Sequence, residues 1–268
     1  MTAADSDGGA GADTPFHAAA RSFMRSGMAV FRPDRTMRAW AAAMHPVAMA
    51  AAARPTAKRR ADGTWVEGLV GPDDGLAPLG GPVMGFLRRA LGRPGLRLVR
   101  SQFSVIHPGY PRGDAWHREE LSRHIDGVLS PDSLVLSPAI LGVLLSDIDG
   151  PGRGNPMGFD GSHLVTAAQL RRLAPDGRPE TVARAMADGL PLDRRLCPPR
   201  LVSGPAGTAF IYHHGLQHGI APYDEDGPPR PILYFRMSMP VPDDTRLILD
   251  PFHHWPGLVP MPAPDATA

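Results

Sequence analysis

One cysteine, Cys197, stands in a chain of 268 residues. A single thiol forms no internal disulfide, so a reducing cytoplasm is the expected compartment. Long hydrophobic runs are also missing. The longest apolar stretches, such as AILGVLL at 139–145, fall far short of the roughly 20 residues that cross a bilayer. The opening residues, MTAADSDGGAGADTP, show neither the basic nor the apolar region of a secretory signal. A net charge of +1 gives no field of one sign, so neither nucleic acid nor a membrane surface is an expected partner. No internal repeat is present. There is no GxGxxG or GxxxxGK[ST], and helical and strand patterns do not alternate, which argues against dinucleotide-binding and P-loop folds.

What the chain does have is apolar content and punctuation. Hydrophobic residues make up 43%, enough for a sizeable core, and 30 glycines with 31 prolines favour many short elements over a helix bundle. Four runs read as strands from their β-branched and aromatic content and flanking breakers: 96–107 (LRLVRSQFSVIH), 139–148 (AILGVLLSDI), 208–214 (TAFIYHH) and 232–239 (ILYFRMSM). Helical patterns come first, at FHAAARSFMRSG and RTMRAWAAAM, and again at TAAQLRRLA and RPETVARAMADGL. Thr166 and Gln169 have the spacing of a capping box. The expected organisation is a leader over 1–14, one domain over 15–256 with a helical insert at 164–200, and a loose tail over 257–268. The fold class is mainly β with flanking helices (α+β).

The chemistry concentrates in histidines. RHIDGV places His124 and Asp126 two residues apart, on one face if the segment is extended. An imidazole and a carboxylate suit a divalent metal, and one more histidine completes a 2-His-1-carboxylate triad with open positions on Fe(II). The spacing alone does not select the pair, because WHREE offers His117 and Glu119 equally, and a polar turn after a strand has the same composition.

The order of the motifs after this pair is more informative. HIDG leads through LLSDID to Gly161-Ser162-His163, then to AGTAFIYHHGLQHG and, twelve residues after His218, to Arg230. Over residues 96–240 this resembles the phytanoyl-CoA dioxygenase family of Fe(II)/2-oxoglutarate-dependent oxygenases. The resemblance implies a double-stranded β-helix (jelly-roll, cupin-like) core with N-terminal helices and a helical insert over the mouth. It implies iron held by His124, Asp126 and His218, the last chosen over His213 and His214 by its His-Gly-x-x-Pro setting. Arg230 then grips the far carboxylate of 2-oxoglutarate, since an arginine fork matches a carboxylate with two hydrogen bonds. O2 is the second co-substrate, and the implied reaction hydroxylates a C–H bond of a small-molecule metabolite, releasing succinate and CO2. Two positions depart from the family pattern: Asp160 replaces a proline and Thr208 an acidic residue, neither at a ligand position.

Further expectations concern neighbours of that triad. His117 and Glu119 line the entrance or are solvated, His163 packs the turn, and one of His213 and His214 faces the barrel while the other meets solvent. Arg230, Ile232, Tyr234 and Arg236 share the inner face by alternation, with Arg230 nearer the level of the iron. Arg171, Arg172, Arg194 and Arg195 of the insert either meet an anionic substrate or are solvated. The competing functions are a cupin-like metal enzyme that uses no 2-oxoglutarate, and a non-catalytic ligand-binding barrel.

Overall fold

A computed structural model describes residues 15–59, 63–67, 80–92, 97–109, 139–178, 181–182, 184–185, 190, 195–224, 226–238, 249–252 and 255–258. Among the described residues, three helices lead the chain: α1 (Pro15–Ser26), α2 (Arg35–Ala52) and α3 (Gly80–Leu91). A fourth, α4 (Ser162–Leu173), interrupts the strands. The strands are β1 (Met28–Phe31), β2 (Lys58–Arg59), β3 (Gly63–Glu67), β4 (Arg97–Ile106), β5 (Ala139–Leu144), β6 (Pro156–Phe159), β7 (Pro199–Leu201), β8 (Ala209–His213), β9 (His218–Ile220) and β10 (Arg230–Ser238). They form an antiparallel seven-stranded sheet, β1-β8-β5-β10-β4-β3-β2, and a three-stranded sheet, β7-β6-β9.

Alternation decides which face each side chain serves. On β10, Leu233, Phe235 and Met237 join Phe103, Val105, Leu141 and Ile211 in a core that also takes Phe23, Phe86, Leu87 and Trp255. That face lies under the helices. The opposite face of β10 carries Ile232 and Tyr234, which pack with Ile106, Ile140, Leu144, Phe210 and Tyr212. Ile220 of β9 packs onto this second cluster, so the small sheet closes over the inner face. β5 and β8 are buried along their whole length, which explains their unbroken apolar sequences.

Local chemistry starts and stops the helices. Asp34 caps α2 by accepting from the Met37 N–H at 2.8 Å. α4 begins four residues before the expected capping box. Its N-cap is Gly161 at φ 76°, so Thr166 is a buried mid-helix residue and not a cap. The described C-terminal residues also run past 256. Gly257 donates to the Ala90 carbonyl at 3.0 Å, where a Cβ would run into the Arg89 backbone, and Leu258 is buried. Among the described residues, no helix is long and apolar enough to cross a membrane.

Candidate active site

Between the two sheets lies an interior whose wall is Phe210, Tyr212, Ile140, Ile232 and Tyr234. Gly142 admits the Phe210 ring: a Cβ there would collide with it. Phe210 in turn lies 4.8 Å from the Tyr212 ring and edge-on to Tyr234 at 5.9 Å. His218, only 6% exposed, opens β9 with its ring 5.3 Å from that of Tyr212. Its strand is fastened by the preceding residue. The Gln217 N–H donates to Ser162 Oγ at 2.9 Å, and its carbonyl accepts from Phe159 N at 2.9 Å. The Gly161-Ser162-His163 turn therefore sets the position of His218 from another part of the chain.

Hydrogen bonding fixes the histidine tautomers. His218 Nδ1 lies 2.8 Å from the Leu216 carbonyl, which only accepts, so Nδ1 carries a proton and Nε2 is the nitrogen on the other side of the ring. That is the arrangement of a metal-binding imidazole, oriented by a carbonyl behind it. His213 has the opposite arrangement. Its Nδ1 accepts from Gly215 N at 3.0 Å and its Nε2 donates to the Pro251 carbonyl, so its lone pair is already used by the main chain. His214 stacks on it at 4.1 Å. Both are buried, at 1% and 4% exposure, so the expectation that one of them meets solvent is wrong. The reason is the C-terminal segment, whose contribution to the core the sequence does not announce: Trp255 packs 4.4 Å from Phe23 and 6.2 Å from His213. His163 completes this stack, 4.9 Å from His213, with Nε2 donating to the Met24 carbonyl at 3.1 Å. Burial lowers its pKa to about 4.

His124, Asp126, His117 and Glu119 lie outside the described residues. Among the described residues, no group of three or more His, Cys, Asp or Glu could hold an ion. His218 is thus the member of the expected triad whose surroundings are defined.

The two arginines of β10 sit at opposite ends of the interior. Arg236 shares a register row with Ile140 and Tyr212, the residue that touches His218. Its Nη1 donates to Gln102 Oε1 at 2.8 Å. Arg230 pairs with Ile106, about 20 Å away along the strand at roughly 3.3 Å per residue. By register, Arg230 therefore lies farther from His218 along the sheet than Arg236 does. The chain leaves His218 along β9 and turns back only at residues 221–229, so β10 starts at the far end and returns. Arg230 is held there by Nε to Tyr223 Oη at 2.9 Å and by Nη1 to the Asp147 carbonyl.

The two departures from the family pattern have local explanations. Thr208 Oγ1 donates to the Pro205 carbonyl at 2.7 Å and closes its own turn. Asp160 is half-buried; burial raises its pKa, while Arg200 and Arg25 pull it down. Of the insert arginines, Arg171 donates to the Leu249 carbonyl at 2.8 Å, tying α4 to the C-terminal segment. Sequence reasoning passed over Tyr212 and Ser104. Both are fully buried on the inner face, and neither hydroxyl has a hydrogen-bond partner among the described residues. The signal was available, since alternation through AFIYH puts Tyr212 on the face of Phe210.

No family model and no curated protein matches the sequence. Solved structures do match. The non-heme alpha-ketoglutarate-dependent carbocyclase SnoK of nogalamycin biosynthesis is 18% identical, with a TM-score of 0.55 over 82% of this chain and 83% of its own. The epimerase SnoN, solved with Fe3+, alpha-ketoglutarate and nogalamycin RO, is 19% identical, with a TM-score of 0.53 over 83% of each chain. EctD from S. alaskensis, solved with 2-oxoglutarate and 5-hydroxyectoine, is 16% identical, with a TM-score of 0.50 over 82% of this chain and 74% of its own. The chain has their fold. At these identities the likeness is one of architecture.

Proposed function

We propose that this chain is an Fe(II)- and 2-oxoglutarate-dependent dioxygenase that hydroxylates a C–H bond of a small-molecule metabolite, on a double-stranded β-helix made by the two sheets. The observation that carries this reading is the His218 imidazole, buried between the sheets with Nδ1 held by a carbonyl so that Nε2 is the nitrogen that can face a metal. That donor suits a divalent iron. His124 and Asp126 supply the remaining protein ligands. Bound iron with 2-oxoglutarate and O2 supplies the oxidising power, with succinate and CO2 released.

The chain's own residues do the rest. Leu216 and Ser162 orient His218 through one hydrogen bond to its ring and one to the strand that carries it. Arg230 receives the far carboxylate of 2-oxoglutarate. Tyr223 and the Asp147 carbonyl hold the guanidinium in place. Phe210 and the packed inner cluster keep water from that path. Residues 164–200 cover the mouth, and the enzyme works in the cytoplasm on a small molecule, without nucleic acid or membrane.

The test is consumption of 2-oxoglutarate. The wild-type protein with Fe(II) in air yields succinate, and His124→Ala, Asp126→Ala and His218→Ala each abolish it without unfolding the chain. Retention of iron by Asp126→Ala together with its loss from Glu119→Ala moves the carboxylate ligand to the other pair. Product analysis against candidate metabolites then separates hydroxylation from the cyclisation and epimerisation named for the two nogalamycin enzymes.

A further inference from the structure

His213 ends β8 and His218 opens β9, and a tight turn joins them. The Leu216 N–H donates to the His213 carbonyl at 2.9 Å, the bond that closes a β-turn. The His213 side chain adds a second bond. Its Nδ1 accepts from the Gly215 N–H at 3.0 Å, two residues on, as an Asn side chain does in an Asx turn. The next link is the Leu216 carbonyl, which accepts from His218 Nδ1 at 2.8 Å. The carbonyl that orients the His218 ring therefore leaves a turn shaped by the His213 ring. His213, Leu216 and His218 are all buried, so bulk water does not stand in for a lost bond.

Nδ1 of His213 accepts only while the ring proton sits on Nε2. The Pro251 carbonyl takes the hydrogen bond of that proton and keeps it there. Pro251 belongs to the C-terminal segment, which is anchored by Trp255 at 4.4 Å from Phe23 and by the Gly257 N–H on the Ala90 carbonyl. An unbroken path of hydrogen bonds thus runs from Pro251 through both nitrogens of His213 and the turn to His218. Filling this part of the core asks only for a ring, which Phe23 and Phe86 supply nearby. The turn asks for a nitrogen that accepts.

We propose that His213 is a positioning residue for the metal site: its Nδ1 shapes the turn that aims His218, and the C-terminal segment fixes the proton on its far nitrogen. This rests on the function proposed above.

Two substitutions separate positioning from packing. His213→Phe keeps the ring and removes both nitrogens. His213→Asn keeps an acceptor, Oδ1, as many bonds from the backbone as Nδ1, and gives up the ring and its reach to Pro251. The Co(II) dissociation constant is read on the full chain from the visible absorption of the bound ion, and the metal-free Tm confirms that each variant is folded. His213→Phe is expected to raise the dissociation constant about tenfold, the low end of the range for removing a group that supports a metal-bound histidine. His213→Asn is expected to stay within about threefold of the wild type, whatever its Tm. An unchanged dissociation constant in His213→Phe overturns the assignment. Equal loss of affinity in both variants overturns it too, by marking His213 as packing alone. If His213→Asn does not fold, His213→Phe is read together with the imidazole 15N spectrum of the metal-free wild type. That spectrum should show the His213 proton on Nε2, and a proton on His213 Nδ1 overturns the assignment. If wild-type protein binds no Co(II), the metal reading fails together with this one; if it binds and His213→Phe binds equally, this inference fails alone.

Discussion

His163 shows what burial does to an imidazole in this chain. Its pKa of about 4 lies below the roughly 6.5 of an exposed histidine, because the charged form cannot be hydrated in the stack with His213 and Phe252. The sign follows from proton counts. Between pH 6.5 and 4 the unfolded chain binds a proton that the folded chain refuses, so stability falls as the pH drops through that window. The loss approaches about 3 kcal/mol, at 1.36 kcal/mol per pKa unit. Urea denaturation at pH 7.5 and 4.5 should therefore show a smaller pH dependence in His163→Phe than in the wild type, whatever the variant's absolute stability. At the same scale, Arg230→Ala should raise the 2-oxoglutarate requirement at least tenfold, about 1.4 kcal/mol, through loss of a charge-assisted contact. Arg236→Ala should leave that requirement within about threefold and lower the Tm, because Gln102 loses its partner. A 2-oxoglutarate requirement that moves with Arg236 and not with Arg230 would show that the co-substrate lies at the other end of β10.

Two elements are held by pieces that look unrelated in the sequence. β8 ends in His213, whose Nε2 donates to the Pro251 carbonyl, so the C-terminal segment closes the end of the strand that leads to His218. Trp255, fully buried against Phe23, anchors that segment. Trp255→Ala should cost about 3–5 kcal/mol, measured by chemical denaturation, the usual range for emptying a buried aromatic site. A cost under 1 kcal/mol would mean that the segment is not part of the core. β5 is held open in a similar way at Gly142, the position the Phe210 ring crosses. Gly142→Ala should cost roughly 1–3 kcal/mol, because the ring must leave its place.

Over the whole molecule, legibility followed element length and burial. β4, β5, β8 and β10 were readable because each is a long apolar or alternating run bounded by glycine or proline. β6, β7 and β9 have four, three and three residues, and their strand character comes from pairing with one another. α3 begins Gly-Gly-Pro, which reads as a turn, yet Val83, Phe86, Leu87 and Ala90 form one buried stripe. In the site, His218 stood out by its neighbours in sequence, and its tautomer needed the Leu216 carbonyl. The places of Arg230 and Arg236 relative to His218 were not legible because a linear count from His218 ignores the chain's outward run along β9 and its return along β10.

Anaerobic addition of Fe(II) and then 2-oxoglutarate, followed by visible absorption, tests the central claim most directly, because it reports the metal and its chelated co-substrate at once. The oxygenase reading predicts a charge-transfer band that appears only with both present and is lost in His218→Ala. A protein that binds Fe(II) yet gives no band at saturating 2-oxoglutarate, or one whose band survives in His218→Ala, would contradict it.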